Sequence, residues 1–469
     1  MGGFFGIVSK KDAVKDLFFG TDYHSHLGTK KGGLAIRNEK GFSKRIHNIG
    51  NALFRSKFAS DITHMYGNAG IGVISDFENQ PLVIRSHLGD YAIVTVGAIQ
   101  NIEELLHKTL KDNKIHFSEI TKWGINPTEL VSAIINQEES FKAGIEKVHD
   151  SIKGSCSILI LTENGLYAAR DKLGRTPVVL GEKENSFAVT LETCSFSNLG
   201  FKTTKYLGPG EIMFLNRDGV EQIKAPQAHM QICAFLWVYY GYPSSSYEGI
   251  NVEYVRNRCG AKLAENDDVK PDFVAGIPDS GIAHALGYAN KSGIPFKRPF
   301  VKYTPTWQRS FMPQEQKARD LIARMKLIPV HEMIEQKKLL FCEDSIVRGT
   351  QLKDTIQRLY EFGALEVHMR PACPPLLYKC KFLNFSRSKS EFDLAARRAI
   401  SQIEGKNTSD IGKYTKQGSD KYNQMVEKIR QRLNLTSLKY QKMDDLVDAI
   451  GLPKNKLCTY CWDGEEPFA

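Results

Sequence analysis

The residues whose types and spacing carry the clearest chemistry lie at 337–351, KKLLFCEDSIVRGTQ. Glu343 and Asp344 are adjacent carboxylates that can hold a diol, or a Mg²⁺ ion bridging to one. Ser345, Ile346, Val347, Arg348, Gly349 and Thr350 follow, a stretch with a glycine and hydroxyls. Its backbone N–H groups can turn onto a phosphate at the start of a helix. Together these suit a sugar bearing a 5′-phosphate and a 1-pyrophosphate. The bland alternative is an ordinary strand, loop and helix with two solvated acids.

Such residues need a strand before them and a helix after. Leu339 to Cys342 form an apolar run that fits one buried strand of a parallel sheet, and open α/β sheets place ligands at the C-terminal ends of their strands. Leu352, Ile356, Leu359 and Tyr360 recur at helical spacing. Upstream, residues 272–296 (DFVAGIPDSGIAHALGYANKSGIPF) predict strand, tight loop, helix and strand, a βαβ unit, with Asp279 and Ser280 in the loop. A Gly/Ser/Pro-rich turn is common by itself, and its place about 60 residues before Glu343 adds to its weight. Residues 1–225 read differently. GGFFGIVS, GLAIRN, GIGVIS, PLVIRS, YAIVTVGAI, CSILILTENGLYAARD and EIMFLNRDGV are short apolar or alternating runs broken by Gly, Asn or Asp. With helical patterns near 101–110 and 127–137, they predict two antiparallel sheets layered with helices.

With 469 residues and 42% hydrophobic content, two or three domains with real cores are expected. No apolar run approaches the roughly 18 residues of a membrane-spanning helix, and MGGFFGIVSKK does not read as a signal peptide. Gly6 stands where a myristoylation motif wants Ser or Thr. Nine cysteines without a secretion signal point to reduced thiols in the cytoplasm rather than a disulfide framework. Of the formal charge of +10, +6 lies in residues 386–440, which carry twelve Lys/Arg against six Asp/Glu. No nucleic-acid-binding module accompanies that charge, so a solvated helical insertion is the preferred reading. Phe392, Leu394, Ile400, Ile403 and then Met425, Val426, Ile429, Leu433 predict two helices joined by a polar loop at 405–420.

EDSIVRGT resembles the signature of type I phosphoribosyltransferases, and SIVRGT in particular resembles the glutamine phosphoribosylpyrophosphate amidotransferase family. ARDKLGRTPVVLG (169–181), LGPGEI (207–212), GIG at 70–72 and NQPLVI at 79–84 are similar to turns of a class II glutamine amidotransferase domain. The resemblance implies a layered antiparallel αββα (Ntn-type) domain at 1–225 and a type I phosphoribosyltransferase α/β domain with a parallel sheet at 226–385. The basic helical insertion at 386–440 and a cysteine-bearing segment at 441–469, packing on the domain junction, complete the chain.

The family's glutaminase chemistry departs from this sequence at four places. The N-terminal nucleophile, a Cys exposed by Met removal, matches Gly2, and the first Cys of the chain is Cys156 in a core-like run. The Arg that clamps the substrate carboxylate after GIG meets Ile74, Ser75 and Asp76, the last of which would repel it. The Asn-Gly of the oxyanion hole reads Val96-Gly97, and the Asp that holds the amine matches Pro127. Losing one oxyanion donor alone costs about 10²–10³ in rate, so an inactive glutaminase is expected.

In the transferase half, Ser280 matches a residue that helps Glu343 and Asp344 coordinate Mg²⁺. Residues 302–327 resemble the mobile lid over the ribosyl pyrophosphate, with Arg309, Ser310, Phe311, Gln316, Arg319 and Lys326 on the family pattern. The stretch 303–306, YTPT, departs from the basic-aromatic run usual there. Lys302 and Arg309 would cover the leaving pyrophosphate as charge develops, with Asp344 beside the reacting centre. Cys458-Thr-Tyr-Cys461, alone, leaves zinc, an iron–sulfur cluster, redox chemistry or no function open. Resemblance to one branch of the family implies a [4Fe–4S] cluster on Cys233, Cys380, Cys458 and Cys461, with zinc the lesser alternative. Cys156, Cys194, Cys259, Cys342 and Cys373 read as packing residues.

The expected activity is formation of 5-phosphoribosylamine and pyrophosphate from phosphoribosyl pyrophosphate, the first step of purine biosynthesis, using ammonia that is free or delivered by a partner glutaminase. Family-like behaviour implies a homo-oligomer and feedback by purine nucleotides, without membrane or nucleic-acid partners. The alternatives are transfer to another amine, a non-catalytic nucleotide-sensing regulator, and a dominant iron–sulfur structural or redox role.

Overall fold

The computed structural model describes residues 2–468 apart from 29, 51, 114–115, 122–123, 304–326, 384–389 and 406–409. The N-terminal half is four layers. One sheet is seven-stranded and antiparallel, ordered Lys202–Tyr206, Val179–Lys183, Ser186–Thr190, Gly3–Ser9, Ala69–Ser75, Lys31–Asn38, Gly41–Asn48. The other is six-stranded, ordered Val220–Lys224, Ile212–Leu215, Leu166–Ala169, Gly154–Leu161, Gly89–Ile99, Leu82–Ser86. Phe4, Val8, Val73, Val94, Leu159, Leu161 and Leu166 fill the space between them. The helix Val14–Asp22 covers the outer face of the first sheet. Pro127–Ile135 and Phe141–Ser151 cover the outer face of the second. Strands alternate their side chains between these two environments, which is why the runs read in sequence carry apolar residues at nearly every position.

In the C-terminal half, four parallel strands lie in the order Phe273–Gly276, Lys338–Glu343, Glu366–Pro371, Ser437–Leu438. Leu340 and Cys342 face one core with Val274, whereas Leu339 and Phe341 face another with Phe273 and Ala275. Burial on both faces explains the unbroken apolar run at 339–342. The helix Thr350–Glu361 follows the central strand. The second strand expected near 296 is reduced to one bridging residue, Phe296 against Val274. Pro295 and Pro299 flank it, and proline has no N–H to donate to a ladder.

The segment 386–440 forms the helices Ala395–Glu404 and Asp420–Leu433. Ala399, Ile400, Met425, Ile429 and Leu433 enter the same core as Leu339 and Phe341, and Ser437–Leu438 extends the parallel sheet. Among the described basic residues Lys416, Lys428 and Arg432 are exposed, and the apolar stripe is part of the core of the C-terminal half. Among the described residues no helix is long and apolar enough to cross a membrane.

One buried ion pair ties the sheet to the helix layer. Arg370 donates to Asp267 through Nε and through Nη2, the latter at 3.0 Å, and both side chains are 1% exposed. Burial pushes the Asp267 carboxyl up, but the bonds from Arg370 and Tyr288 and the charge of Lys439 outweigh it and hold it at about 2. Removing one partner strands the other charge in the core, so Arg370→Met should destabilise the chain by about 3–5 kcal/mol in urea at neutral pH. Because the folded value is depressed, the contribution of Asp267 is complete above the ordinary carboxylate range of about 3.9 and is lost as pH falls toward 2. The stability gap between wild type and Asp267→Asn should therefore narrow in acid, and denaturation measured across that range checks it.

Candidate functional site

The central strand Lys338–Glu343 is bonded to parallel neighbours on both sides, and its last turn carries the acids. Glu343 and Asp344 are 9% and 5% exposed. Ser280 Oγ donates to Glu343 Oε1 at 3.1 Å, and so does the Asp344 N–H, also at 3.1 Å. Ser345 Oγ donates to Asp344 Oδ1 at 2.5 Å. Burial, with the charge of Asp344 beside it, pushes the Glu343 carboxyl well above its ordinary range. Two buried acids at one strand end form an environment that a divalent cation would relieve.

The loop with Asp279 and Ser280 is held against this strand by close approach. Ile277 N–H donates to the Cys342 carbonyl at 3.1 Å. A β-carbon on Gly281 would stand 2.3 Å from that same carbonyl oxygen, so nothing larger than glycine fits there. Lys302, at the end of the strand Phe300–Lys302, forms an ion pair with Asp279 across the site. That strand pairs antiparallel with Leu327–Pro329. Arg309, Ser310, Phe311, Gln316, Arg319, Lys326 and the 304–306 part of YTPT lie outside the described residues.

Residues 345–350 lead into the helix Thr350–Glu361. Gly349 takes φ +71° at its N-cap with no capping side chain, so the first-turn N–H groups are not bound by one. Ile346 is buried, Val347 and Gly349 half-buried, and Arg348 and Thr350 exposed. The segment after residue 390 braces this loop, a role that composition and spacing carried no signal for. Ala395 N–H donates to the Val347 carbonyl at 2.7 Å, Arg398 donates to the Arg348 carbonyl, and Arg348 pairs with Asp393 at 3.6 Å.

Arg256 was likewise missed. It is 4% exposed, donates to the carbonyls of Trp237, Tyr239 and Gly241, and has Asp344 within electrostatic reach. The only hint was a charge inside the apolar spacing of the helix Val252–Glu265. Tyr240 stands within electrostatic reach of Asp344 and of Cys233 and Cys380.

In the N-terminal half, Gly2, Ser75, Asp76, Val96, Gly97 and Pro127 all line one cavity of about 430 Å³, which residues of the C-terminal half also line. Ile74 points instead into the outer core. At Gly2, a β-carbon would stand 2.0 Å from the Ile74 carbonyl oxygen. Pro127 opens a helix whose N-cap, Asn126, accepts from Thr128 N–H at 3.0 Å, so proline there is explained by helix initiation. Cys156 is buried and lines the same cavity, with burial holding its thiol protonated.

Cys380 closes the far wall of that cavity. Cys233 pairs in parallel register with Cys458, and the Cys461 carbonyl accepts from Leu377 and Tyr378 N–H groups. The four thiols lie within electrostatic reach of one another, and the chain folds so that three remote segments bring them together. Among the described residues, no three His, Cys, Asp or Glu side chains converge as the ligand group of a single metal ion.

Comparison with known proteins agrees with both halves. A glutamine amidotransferase domain model matches residues 70–197. The chain is 29% identical to an amidophosphoribosyltransferase of Methanocaldococcus jannaschii, over 100% of this chain and 98% of that protein. It is 27% identical to the Bacillus subtilis amidophosphoribosyltransferase, over 99% and 94%. A solved structure of the B. subtilis glutamine phosphoribosylpyrophosphate amidotransferase, complexed with ADP and GMP, superposes with a TM-score of 0.84 at 26% identity, covering 99% of this chain and 97% of that one. The chain is thus similar to amidophosphoribosyltransferases in sequence and fold over its whole length, with a match to a glutamine amidotransferase domain in its N-terminal half.

Proposed function

We propose that the protein forms 5-phosphoribosylamine and pyrophosphate from phosphoribosyl pyrophosphate, taking ammonia directly because its glutaminase half is inactive. The observation that carries this reading is a contrast between two sites. The acids, serine and loop of the transferase site are assembled around Glu343. At Gly2, where the family reaction needs a nucleophile, the Ile74 carbonyl fills the space a side chain would need. The activity itself is carried over from the relatives' name.

Glu343, Asp344 and Ser280 would hold Mg²⁺ together with substrate oxygens, which would supply positive charge to the pyrophosphate. Two buried carboxylates, one of them pushed toward its protonated form by burial and by the charge of the other, fit that role. The chain's own groups do the rest. Backbone N–H groups of residues 345–350 bind the 5′-phosphate, and the brace from Ala395 and Arg398 holds them in place. Lys302 would exchange Asp279 for the pyrophosphate, and Arg309, outside the described residues, is the second cation that the family pattern assigns to it. Arg256 sets a fixed positive charge within electrostatic reach of Asp344. Nucleotide feedback follows a relative solved with ADP and GMP, and a homo-oligomer is what the family resemblance implies.

Cys233, Cys380, Cys458 and Cys461 would hold a [4Fe–4S] cluster, which would staple the tail to the junction. A set of four thiols without a carboxylate suits soft metals. A polynuclear cluster holds its ligands farther apart than one ion does, which is compatible with thiols that neighbour one another without converging.

The test supplies phosphoribosyl pyrophosphate and Mg²⁺ with ammonia or with glutamine and follows pyrophosphate release. Turnover with ammonia alone is expected, falling at least about 10²-fold in Asp344→Asn. Turnover with glutamine would overturn the inactive-glutaminase reading, and tight binding without turnover on any amine would replace the enzyme by a sensor. Gly2→Cys should not confer glutamine hydrolysis and should lower stability by about 1–3 kcal/mol through overpacking. Anaerobic reconstitution with iron and sulfide should load about four iron atoms per chain. Cys458→Ser should abolish that loading, and equal loading of zinc alone would favour the zinc alternative.

A further inference from the structure

The segment after residue 390 braces the loop at 345–350, and it also brings charge there that the brace does not need. A β-carbon on Gly349 would stand 3.3 Å from Leu433 Cδ2 and 4.0 Å from Ala395 Cβ. The end of the helix Asp420–Leu433 and the start of the helix Ala395–Glu404 therefore abut the first turn of Thr350–Glu361. Arg398 and Arg432 belong to those two ends and lie within electrostatic reach of each other.

Three guanidinium groups thus gather at the loop, Arg348, Arg398 and Arg432, and Asp393 is the carboxylate that acts on Arg398. Asp393 also pairs with Arg348 at 3.6 Å. Arg398 Nη2 donates to the uncharged carbonyls of Arg348 and Asp393, and its Nε is buried with no hydrogen-bond partner among the described residues. Burial and the charge of Arg432 push the Arg398 guanidinium below its ordinary value, with Asp393 opposing them and Arg348 adding to them. Like charges so placed repel, and an anion beside them relieves the repulsion.

Ordinary structural duties do not account for Arg432. The C-terminal end of its helix is served by Arg430, which donates to the Leu435 carbonyl at 2.5 Å and pairs with Glu427 at 2.7 Å. Arg432 is exposed, and no carboxylate among the described residues pairs with it. With Asp393 counted, the cluster keeps two positive charges, and a phosphate monoester carries about −1.5 to −2 at pH 7. We propose that Arg432, together with Arg398, is the charge determinant of the 5′-phosphate site. The pair holds the loop at a positive potential that selects a dianionic phosphate over an uncharged 5′-hydroxyl. The inference rests on the reading that residues 345–350 bind the 5′-phosphate.

Topology sets this end apart from the pyrophosphate end. Phe273–Gly276, which leads to the Asp279 loop, lies on one side of Lys338–Glu343, and Glu366–Pro371 with Ser437–Leu438 lies on the other. Screening confines an exposed charge to about 8 Å at physiological salt, so the effect of Arg432 is concentrated on the 5′ end.

Calorimetric titration of the full chain with Mg²⁺ present tests this, with ribose 5-phosphate, ribose and inorganic pyrophosphate as probes. Arg432→Gln should weaken ribose 5-phosphate by about threefold to fivefold and Arg432→Glu by at least about tenfold, the scale of one exposed charge pair and of its reversal. Both variants should bind pyrophosphate within about twofold of wild type, which also reports that they fold. Arg432→Lys should restore ribose 5-phosphate binding, and salt of about 0.5 M should shrink the gap between wild type and Arg432→Gln. Arg398→Gln removes a loop contact as well as a charge, so the Arg432 series decides. Ribose 5-phosphate bound unchanged by Arg432→Glu, weakened no more than pyrophosphate, or not restored by Arg432→Lys overturns the inference. Wild type that binds pyrophosphate but holds ribose 5-phosphate no better than ribose overturns instead the reading of the loop on which it rests. Wild type that binds none of the three removes the transferase reading itself.

Discussion

The structure of the transferase half depends on one constraint: the strand Lys338–Glu343 is hydrogen-bonded on both edges and buried on both faces. A strand so held cannot slip register without turning its whole apolar set. Its end is therefore a fixed point, and Glu343 and Asp344 inherit that position. Ser280 and the Ile277 amide reach the same strand end from the neighbouring loop. The buried acids are costly to hold without a counter-charge, a cost concentrated where a cationic ligand would offset it.

The two halves meet through buried polar contacts. Glu192, 1% exposed, accepts from Tyr247 OH at 2.7 Å, from Ser245 Oγ and from His26 Nε2 at 3.2 Å. Burial raises its carboxyl, but these bonds and the charge of His26 leave it below its ordinary range. Arg170, fully buried, pairs with Glu248 at 2.8 Å while donating to the Gly174 carbonyl. Arg175 lies over the Phe382 ring at 3.6 Å. Each joins residues far apart in sequence. The turn at 169–181 is thus both a feature of the N-terminal domain and the seat of the junction.

The site was legible in proportion to how locally it is encoded. EDSIVRGT reads directly, because strand, acids, loop and helix are consecutive and each leaves its own pattern. The helices at 395–404 and 420–433 were legible from apolar spacing, yet their purpose was not. That Ala395 and Arg398 brace the loop at 345–350 is a long-range contact with no periodic signature. The helices Val14–Asp22 and Phe141–Ser151 were missed. Short amphipathic turns of that kind are held mainly by tertiary packing on a sheet. Arg256 escaped notice because a buried arginine bonded to carbonyls looks like any helical arginine.

Sequence alone determined the chemical types: which residues are acids, thiols and glycines, and that position 2 has no nucleophile. Those are covalent facts, independent of conformation. Tertiary structure decided what they meet. It brought Gly2, Asp76, Val96 and Pro127 to one cavity and set Ser155 into it, its hydroxyl without a partner among the described residues. It also filled the space beside Gly2 with the Ile74 carbonyl. Such juxtapositions depend on sheet register and layer spacing, which are properties of the whole packed core and of no single stretch.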